Sequence, residues 1–285
     1  MKTINDLLKT ASLRLLQNGA ENSSEEARML LESAGGPSKK EQIINGVTEV
    51  DDTVADLFSK FIEERLEGRP LQYILGEWDF YGNMFSVGEG VLIPRAETEI
   101  LIDEADAYLK NFEGACVLDL CAGTGCVGIT LALHNPSSRF YLIEKSDEAF
   151  VYLRKNASRY NLKNVSLVKG DIFEGAKIID NKTGFGALIS NPPYIPAGEL
   201  ETLQKEVKRE PRLALDGGSD GLNFYRAICE LWLPLLKKDA LVCLECGENQ
   251  TEEVGSLLSR NCENITVKKD FNGLPRTVTA NYRGE

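Results

Sequence analysis

The sequence predicts an α/β fold with a parallel sheet, preceded by a small helical bundle and a β-hairpin linker. From residue 115 onward, short apolar runs alternate with stretches of helical periodicity, which is typical of parallel strands connected by helices. Residues 1–68 place their apolar side chains at helical spacing. Between these regions, residues 71–93 are rich in aromatic residues and glycines, a pattern that indicates a hairpin.

The bulk composition is that of a globular protein. Of the 285 residues, 42% are hydrophobic and 27% are charged, and no apolar run is long enough to span a membrane. Since the first residues also lack the features of a signal peptide, we expect a cytoplasmic protein. The net charge of −12 disfavours nonspecific binding to nucleic acid. The seven cysteines are scattered, which favours free thiols over a disulfide framework.

We predict three parts: a helical domain over residues 1–68, a hairpin linker over 69–94 and an α/β domain over 95–285. The helical domain contains no titratable cluster, so we interpret it as a contact surface. Its predicted helices run from about Ile4 to Leu15, from Ser23 to Gly35 and from Asp52 to Glu67. In the α/β domain the predicted strands are 115–120, 139–143, 165–169, 186–190, 240–245, 264–268 and 276–282, and the predicted helices are 96–110, 125–134, 147–160, 220–237 and 249–259.

A glycine-containing turn follows the first predicted strand of the α/β domain. It reads Cys121-Ala122-Gly123-Thr124-Gly125, and a helix begins after it. Glycines let the backbone approach a ligand, and the first N–H groups of the helix are unpaired. The turn fits neither the dinucleotide fingerprint nor the P-loop, so a different cofactor is indicated. Asp119, just before the turn, would oppose a pyrophosphate but suit a cation or an ammonium group.

Acidic residues follow the next two strands. Glu144 lies nineteen residues past Gly125, where an acid accepts hydrogen bonds from ribose hydroxyls in nucleotide-binding α/β folds. Asp171 and Ile172 follow the third strand, where an adenine amine would be held. Because ligands of parallel sheets bind at the carboxyl ends of strands, these features predict one shared site.

The stretch Asn191-Pro192-Pro193-Tyr194 follows the fourth strand. Its two prolines end the strand and stiffen the tip. The side-chain oxygen of Asn191 and the carbonyl of Pro192 provide two acceptors at one point, which suits a planar NH2 group. The ring of Tyr194 would lie flat on the plane that carries this group.

Together these motifs resemble the S-adenosylmethionine-dependent methyltransferases with a Rossmann-like, seven-stranded class I fold, and among them the N-methyltransferases with an Asn-Pro-Pro-Tyr motif. The stretches 69–82, 92–95, 97–99, 210–215 and 221–225 are similar to the peptide chain release factor glutamine methyltransferases (the HemK or PrmC type). This resemblance covers about residues 69–282. The N-terminal helices match the substrate-contacting domain of that family only in size and character. Two departures stand out: Ala96 replaces a usual proline, and Cys121-Ala122 replace the commoner Gly-Thr or Gly-Ser.

The resemblance implies methyl transfer from S-adenosylmethionine to the glutamine amide of the Gly-Gly-Gln motif in class 1 peptide chain release factors. By position, the expected cofactor-binding residues are Asp119, Cys121, Ala122, Gly123, Thr124, Gly125, Glu144, Asp171, Ile172 and Asn191. The expected substrate-binding residues are Asn191, Pro192, Pro193 and Tyr194, of which Asn191, Pro192 and Tyr194 would be catalytic. We expect a monomer that binds no metal, membrane or nucleic acid.

Three alternatives remain open from the sequence. A DNA adenine N6-methyltransferase would recognise the same NH2 group, but it usually needs a basic cleft and a target-recognition segment, and this chain carries a net charge of −12 and no long insertion. A close relative would methylate another protein glutamine, for instance on a ribosomal protein. A non-catalytic cofactor-binding scaffold would have no need of the acceptor pair at Asn191 and Pro192.

Overall fold

The computed structural model describes residues 2–179 and 184–284. The chain forms two compact units. The first comprises Met1–Glu77 and Gln204–Arg209, and the second comprises Trp78–Leu203 and Glu210–Glu285. Within the described ranges, every helix is too short or too polar to cross a membrane.

The first unit is helical. Its helices are α1 (Ile4–Gln17), α2 (Ser23–Ser33), α3 (Lys39–Ile44), α4 (Asp52–Leu66) and α5 (Leu71–Leu75). A capping box formed by Thr3 and Asp6 starts α1, which buries the predicted apolar stripe. Helix α3 was not predicted, although Ser38 and Glu41 form a second capping box at its start. Residues 71–75 were wrongly assigned to the hairpin. They form a helical turn because Pro70 precedes them with a φ suited to a helix start.

The second unit contains a hairpin and a seven-stranded sheet. The hairpin strands are β1 (Glu77–Phe80) and β2 (Asn83–Ser86). The sheet strands are β3 (Cys116–Leu120), β4 (Arg139–Glu144), β5 (Val165–Lys169), β6 (Phe185–Ser190), β7 (Leu236–Glu245), β8 (Cys262–Lys269) and β9 (Pro275–Tyr282). Their order is β5-β4-β3-β6-β7-β9-β8. The strands β3 to β7 pair in parallel, whereas β9 is antiparallel to β7 and β8. All seven predicted strands are present.

In the part of the chain that the structure describes, the sheet is accompanied by the helices α6 (Glu99–Leu109), α7 (Cys126–His134), α8 (Asp147–Arg159), α9 (Asn223–Ala227) and α10 (Thr251–Leu258). A 3-10 turn, Ala96–Thr98, leads into α6. The predicted helix over 220–237 is present from Asn223 to Leu235, but it is a regular α-helix only as far as Ala227. After Ala227 the chain continues as a π turn and a 3-10 turn, because Pro234 cannot donate to a regular helix, and β7 begins at Leu236.

The sheet has an apolar core on each face. On one face Leu118, Leu120 and Leu188 pack with the buried Trp232. On the other face Val117 packs with residues of α6 and α7. Because side chains alternate along a strand, Asp119 and the residues Leu241, Cys243 and Glu245 of β7 fall on the face covered by α6. This alternation places two carboxyl groups inside an otherwise apolar layer.

Candidate active site

A cleft of about 990 Å³, partly open to solvent, lies at the carboxyl ends of β3, β4, β5 and β6. Ten of the sequence-predicted residues line it: Asp119, Cys121, Ala122, Gly123, Thr124, Glu144, Asp171, Ile172, Asn191 and Pro193. Gly125, Pro192 and Tyr194 lie outside the lining.

The turn between β3 and α7 contains three residues with positive φ. These are Cys121 at +62°, Gly123 at +55° and Gly125 at +80°. A Cβ on Gly125 would lie 2.5 Å from Leu153 Cδ1 and 2.8 Å from Ile129 Cδ1, so only glycine fits there. Gly125 therefore serves the packing of α7, which explains why it is absent from the cleft wall.

Glu144 connects the end of β4 to this turn. Its carboxylate accepts hydrogen bonds from Gly123 N at 2.8 Å and from Ser146 N at 2.6 Å. Burial raises the pKa of Glu144, and these backbone hydrogen bonds oppose the rise. Each carboxylate oxygen has more than one acceptor site, so the group still has capacity for the hydroxyls of a ligand.

The other two acids differ in their surroundings. Asp171 accepts a hydrogen bond from Phe173 N at 3.1 Å and forms an ion pair with Lys145 at 2.7 Å. Asp119 is buried, and its Oδ2 accepts from Gly128 N at 2.9 Å. Burial raises the pKa of Asp119 to about 7, and the nearby charge of Glu144 adds to the rise. A positive charge in the cleft would favour the ionised form of Asp119.

Asn191 is held by a hydrogen bond to the 3-10 turn before α6. Its Nδ2 donates to Thr98 Oγ1 at 3.1 Å. Because the two polar atoms of a planar amide point to opposite sides, Oδ1 faces away from Thr98. The β6 tip is fixed to β3 by Ser190 Oγ, which donates to the carbonyl of Leu120 at 2.6 Å.

Tyr194 is packed rather than exposed to the cleft. Its carbonyl accepts from Gln250 Nε2 at 2.9 Å, and a Cβ on Gly217 would come within 2.8 Å of its backbone. Burial raises the pKa of the Tyr194 phenol well above its ordinary value of 10. The phenol thus stays neutral, and it supplies no base to the site.

Several residues of the cleft wall were not among the predicted site residues. These are residues 90–94, Arg95, Thr98, Lys145, Ser146, Phe173, Pro211, Leu213, Ala214 and Phe224. Buried Glu210 joins two of these segments, since it accepts from Ile93 N at 3.0 Å and pairs with Arg95. The rings of Phe173 and Phe224 meet edge to face with centroids 5.1 Å apart. Glu210 and most of these wall residues fall in the family-like stretches 92–95, 97–99, 210–215 and 221–225, which are the sequence signal for this wall.

No group of three or more metal-binding side chains comes together anywhere in residues 2–179 and 184–284. Carboxylate acceptors lie at the ends of three strands, and an oriented amide lies at the end of the fourth.

Known proteins place this chain among methyltransferases. Residues 6–76 match the family model of the PrmC N-terminal domain, and residues 96–218 match that of the methyltransferase small domain. The 16S rRNA N2 G1207 methyltransferase of T. thermophilus, solved with AdoMet and guanosine, has a TM-score of 0.53 at 16% identity and covers 73% of this chain and 50% of its own. The human Mettl16 catalytic domain has a TM-score of 0.54 at 15% identity, over 70% of this chain and 76% of its own. These similarities confirm the predicted fold.

Two curated relatives match over most of their length. The release factor glutamine methyltransferase of Thermodesulfovibrio yellowstonii is 38% identical over 84% of this chain and 86% of the relative. The protein of the same description from Geobacter sulfurreducens is 36% identical over 97% of this chain and 95% of the relative. The resemblance inferred from the motifs is confirmed, and the chain belongs to the release factor glutamine methyltransferase family.

Proposed function

We propose that the protein transfers a methyl group from S-adenosylmethionine to the side-chain amide of the glutamine in the Gly-Gly-Gln motif of class 1 peptide chain release factors. The observation that carries this proposal is the oriented amide of Asn191 on the wall of a cleft that also contains Glu144 and Asp171. A nucleoside cofactor and an amide substrate both find their acceptors in this one cleft.

The residues of the cleft fit the cofactor. Glu144 offers acceptors for ribose hydroxyls, and Asp171 offers one for the adenine amine, beside the apolar side chains of Ile172 and Phe173. Asp119, with its pKa raised to about 7, gains a favourable interaction from a cationic ligand. The cofactor supplies an electrophilic methyl group on a positively charged sulfur.

The protein side of the mechanism is orientation. An amide nitrogen is a poor nucleophile because its lone pair is delocalised into the carbonyl. The Oδ1 of Asn191 and the carbonyl of Pro192 accept the two N–H groups and favour pyramidalisation of the nitrogen. Tyr194, which lies outside the cleft lining, holds the loop in place through Gln250 rather than supporting the amide plane. Alignment and proximity of this kind contribute about 7–11 kcal/mol. The nitrogen loses its proton readily after the transfer, so a strong base is not required beforehand.

The N-terminal helices provide the protein contact. We assign residues 1–68 to release factor binding, 69–94 to the linker and 95–285 to methyl transfer. The helical unit supports this assignment because it exposes Ile43, Ile44 and Val47 to solvent. The protein acts in the cytoplasm as a monomer, and its net charge of −12 disfavours nucleic acid as a substrate.

The test measures labelled methyl transfer from S-adenosylmethionine to a purified class 1 release factor. Wild-type factor should be labelled, and a factor with the Gly-Gly-Gln glutamine replaced should not. Asn191→Ala should lower the rate on the order of 100-fold, because the amide is no longer oriented. The exposed Asn111→Ala serves as the matched control and should keep full activity. Label on the glutamine-replaced factor would refute the proposal, as would full activity of Asn191→Ala. An unlabelled factor, with cofactor binding intact, would shift the substrate to another protein's glutamine or to adenine in DNA.

A further inference from the structure

Two buried polar residues lie behind Asn191, and the proposed mechanism does not use them. Glu245 ends β7, whose register pairs Ser190 with Leu244, so Glu245 comes level with Asn191. Glu245 is 1% exposed and Thr98 is 2% exposed. The hydroxyl of Thr98 accepts a hydrogen bond from Nδ2 of Asn191 at 3.1 Å, and the same side chain lies beside the carboxyl group of Glu245 and lowers its pKa. The three side chains form a continuous chain from the buried layer to the cleft.

The direction of these hydrogen bonds follows from the inventory of donors. A threonine hydroxyl has one proton, and an ionised carboxylate only accepts. Beside an ionised Glu245 the Thr98 hydroxyl turns its proton towards the carboxylate, which leaves only lone pairs for Asn191. A lone pair accepts from Nδ2 but repels Oδ1, so the chain permits one of the two amide orientations. The other orientation would place two acceptors face to face.

The burial of Glu245 also lacks a structural reason. Its Oε2 has no hydrogen-bond partner among the residues that the structure describes. Burial raises the pKa of Glu245 to about 7, and only Thr98 and the charges of Arg276 and Arg95 oppose this rise. A buried carboxyl group with an unpaired oxygen destabilises a fold. Its presence directly behind the acceptor of the site is accounted for by a role in the chemistry.

We propose that Thr98 and Glu245 are positioning residues that fix the amide orientation of Asn191, so that Oδ1 rather than Nδ2 faces the glutamine to be methylated. This inference rests on the proposed function. Without the Thr98 hydroxyl, the Asn191 amide would rotate between its two orientations, and one of them would place a donor against the donor of the substrate. The loss would fall on the methyl transfer step rather than on cofactor binding.

The kinetic test compares two variants of Thr98 at pH 8, where Glu245 is mostly ionised. Thr98→Val removes the hydroxyl at constant shape and should lower kcat about 10- to 100-fold. Thr98→Ser restores the hydroxyl and should stay within about threefold of wild type, and both should bind S-adenosylmethionine within about twofold of wild type. The matched control is Thr130→Val in α7. The hydroxyl of Thr130 is buried and has no hydrogen-bond partner among the residues that the structure describes, so its removal should leave kcat at the wild-type value.

A second readout needs no substrate. The side-chain NH2 resonance of Asn191 is assigned by its loss in Asn191→Ala, and Thr98→Val should shift it while Thr98→Ser and Thr130→Val leave it in place. An unmoved resonance in Thr98→Val would overturn the inference, as would wild-type kcat in that variant or an equal loss in Thr98→Ser. If the wild-type protein binds the cofactor but leaves the release factor unlabelled, the proposed function fails, and the resonance alone decides whether Thr98 orients Asn191.

Discussion

The replacement Glu245→Gln removes a buried ionisable group without changing its shape. Burial raises the pKa of Glu245 from its ordinary 4.5 to about 7; Thr98, Arg276 and Arg95 oppose the rise, and the charge of Glu97 adds to it. Because the pKa is higher in the folded protein than in the unfolded chain, folding favours the protonated form. The stability contribution is complete below about pH 4.5 and is lost as the pH rises towards 7.

The magnitude follows from these two pKa values. A change of one pH unit in this window costs about 1.4 kcal/mol, so the wild-type protein loses about 3 kcal/mol of unfolding free energy on passing through it. Glutamine is neutral throughout, so Glu245→Gln avoids this loss. The pKa of Asp119 is also raised to about 7, but Asp119 titrates in both proteins and cancels in their difference.

The assay is urea denaturation of wild type and Glu245→Gln between pH 5 and pH 8, followed by tryptophan fluorescence. The unfolding free energy of the variant minus that of wild type should increase by about 2–3 kcal/mol across this range. A difference that stays constant within about 0.5 kcal/mol would refute the reasoning. It would mean that Arg95 and Arg276 fully offset the burial of the charge.

Three further predictions concern the glycine turn and the cofactor site. Gly128→Ala would place a Cβ 2.6 Å from Asp119 Oδ2 and 2.7 Å from Leu142 Cγ. The unfolding free energy of this variant, measured by urea denaturation, should therefore be about 1–3 kcal/mol lower than that of wild type. A decrease of less than about 0.5 kcal/mol would contradict this packing. The unfolding free energy of Cys121→Gly should stay within about 1 kcal/mol of the wild-type value. Removal of a side chain held at φ +62° stabilises the folded state, and the greater freedom of glycine in the unfolded chain offsets this gain. A larger change in the same assay would show that packing of the thiol contributes more than either effect. Glu144→Ala should raise the Kd for S-adenosylmethionine about 10- to 100-fold by calorimetry, and a change under about threefold would exclude Glu144 as a ribose acceptor.

The sheet was predictable because each of its strands is an apolar run bounded by polar or glycine-containing turns. Helices α3 and α5 were not predicted, since they have only six and five residues, which is too short a stretch to show a helical period. The helix predicted over 220–237 forms from Asn223 to Leu235, but it is not regular beyond Ala227. Its apolar spacing continues through Leu233 and Leu235, but Pro234 between them breaks the backbone pattern that the spacing implies.

The acids of the cleft were predictable because parallel strands bring their carboxyl ends to one edge. Glu144 and Asp171 needed no more than their position at a strand end. The roles of Thr98 and Glu245 were not predictable, since they depend on the register between β6 and β7 and on a turn 92 residues upstream of Ser190. Pairing between distant segments leaves no local pattern in the chain.

The two departures from the family pattern are resolved by backbone geometry. Ala96 is exposed at the start of a 3-10 turn that forms without the usual proline. Cys121 keeps the left-handed conformation that a glycine would adopt, so the turn retains its path at some strain. The two glycines that remain are not equivalent. A Cβ on Gly123 would meet nothing closer than 3.9 Å, whereas one on Gly125 would collide with α7 and α8. The turn therefore tolerates a side chain at its first position, Cys121, where only φ is restrictive. It does not tolerate one at its last position, Gly125, where packing is restrictive as well.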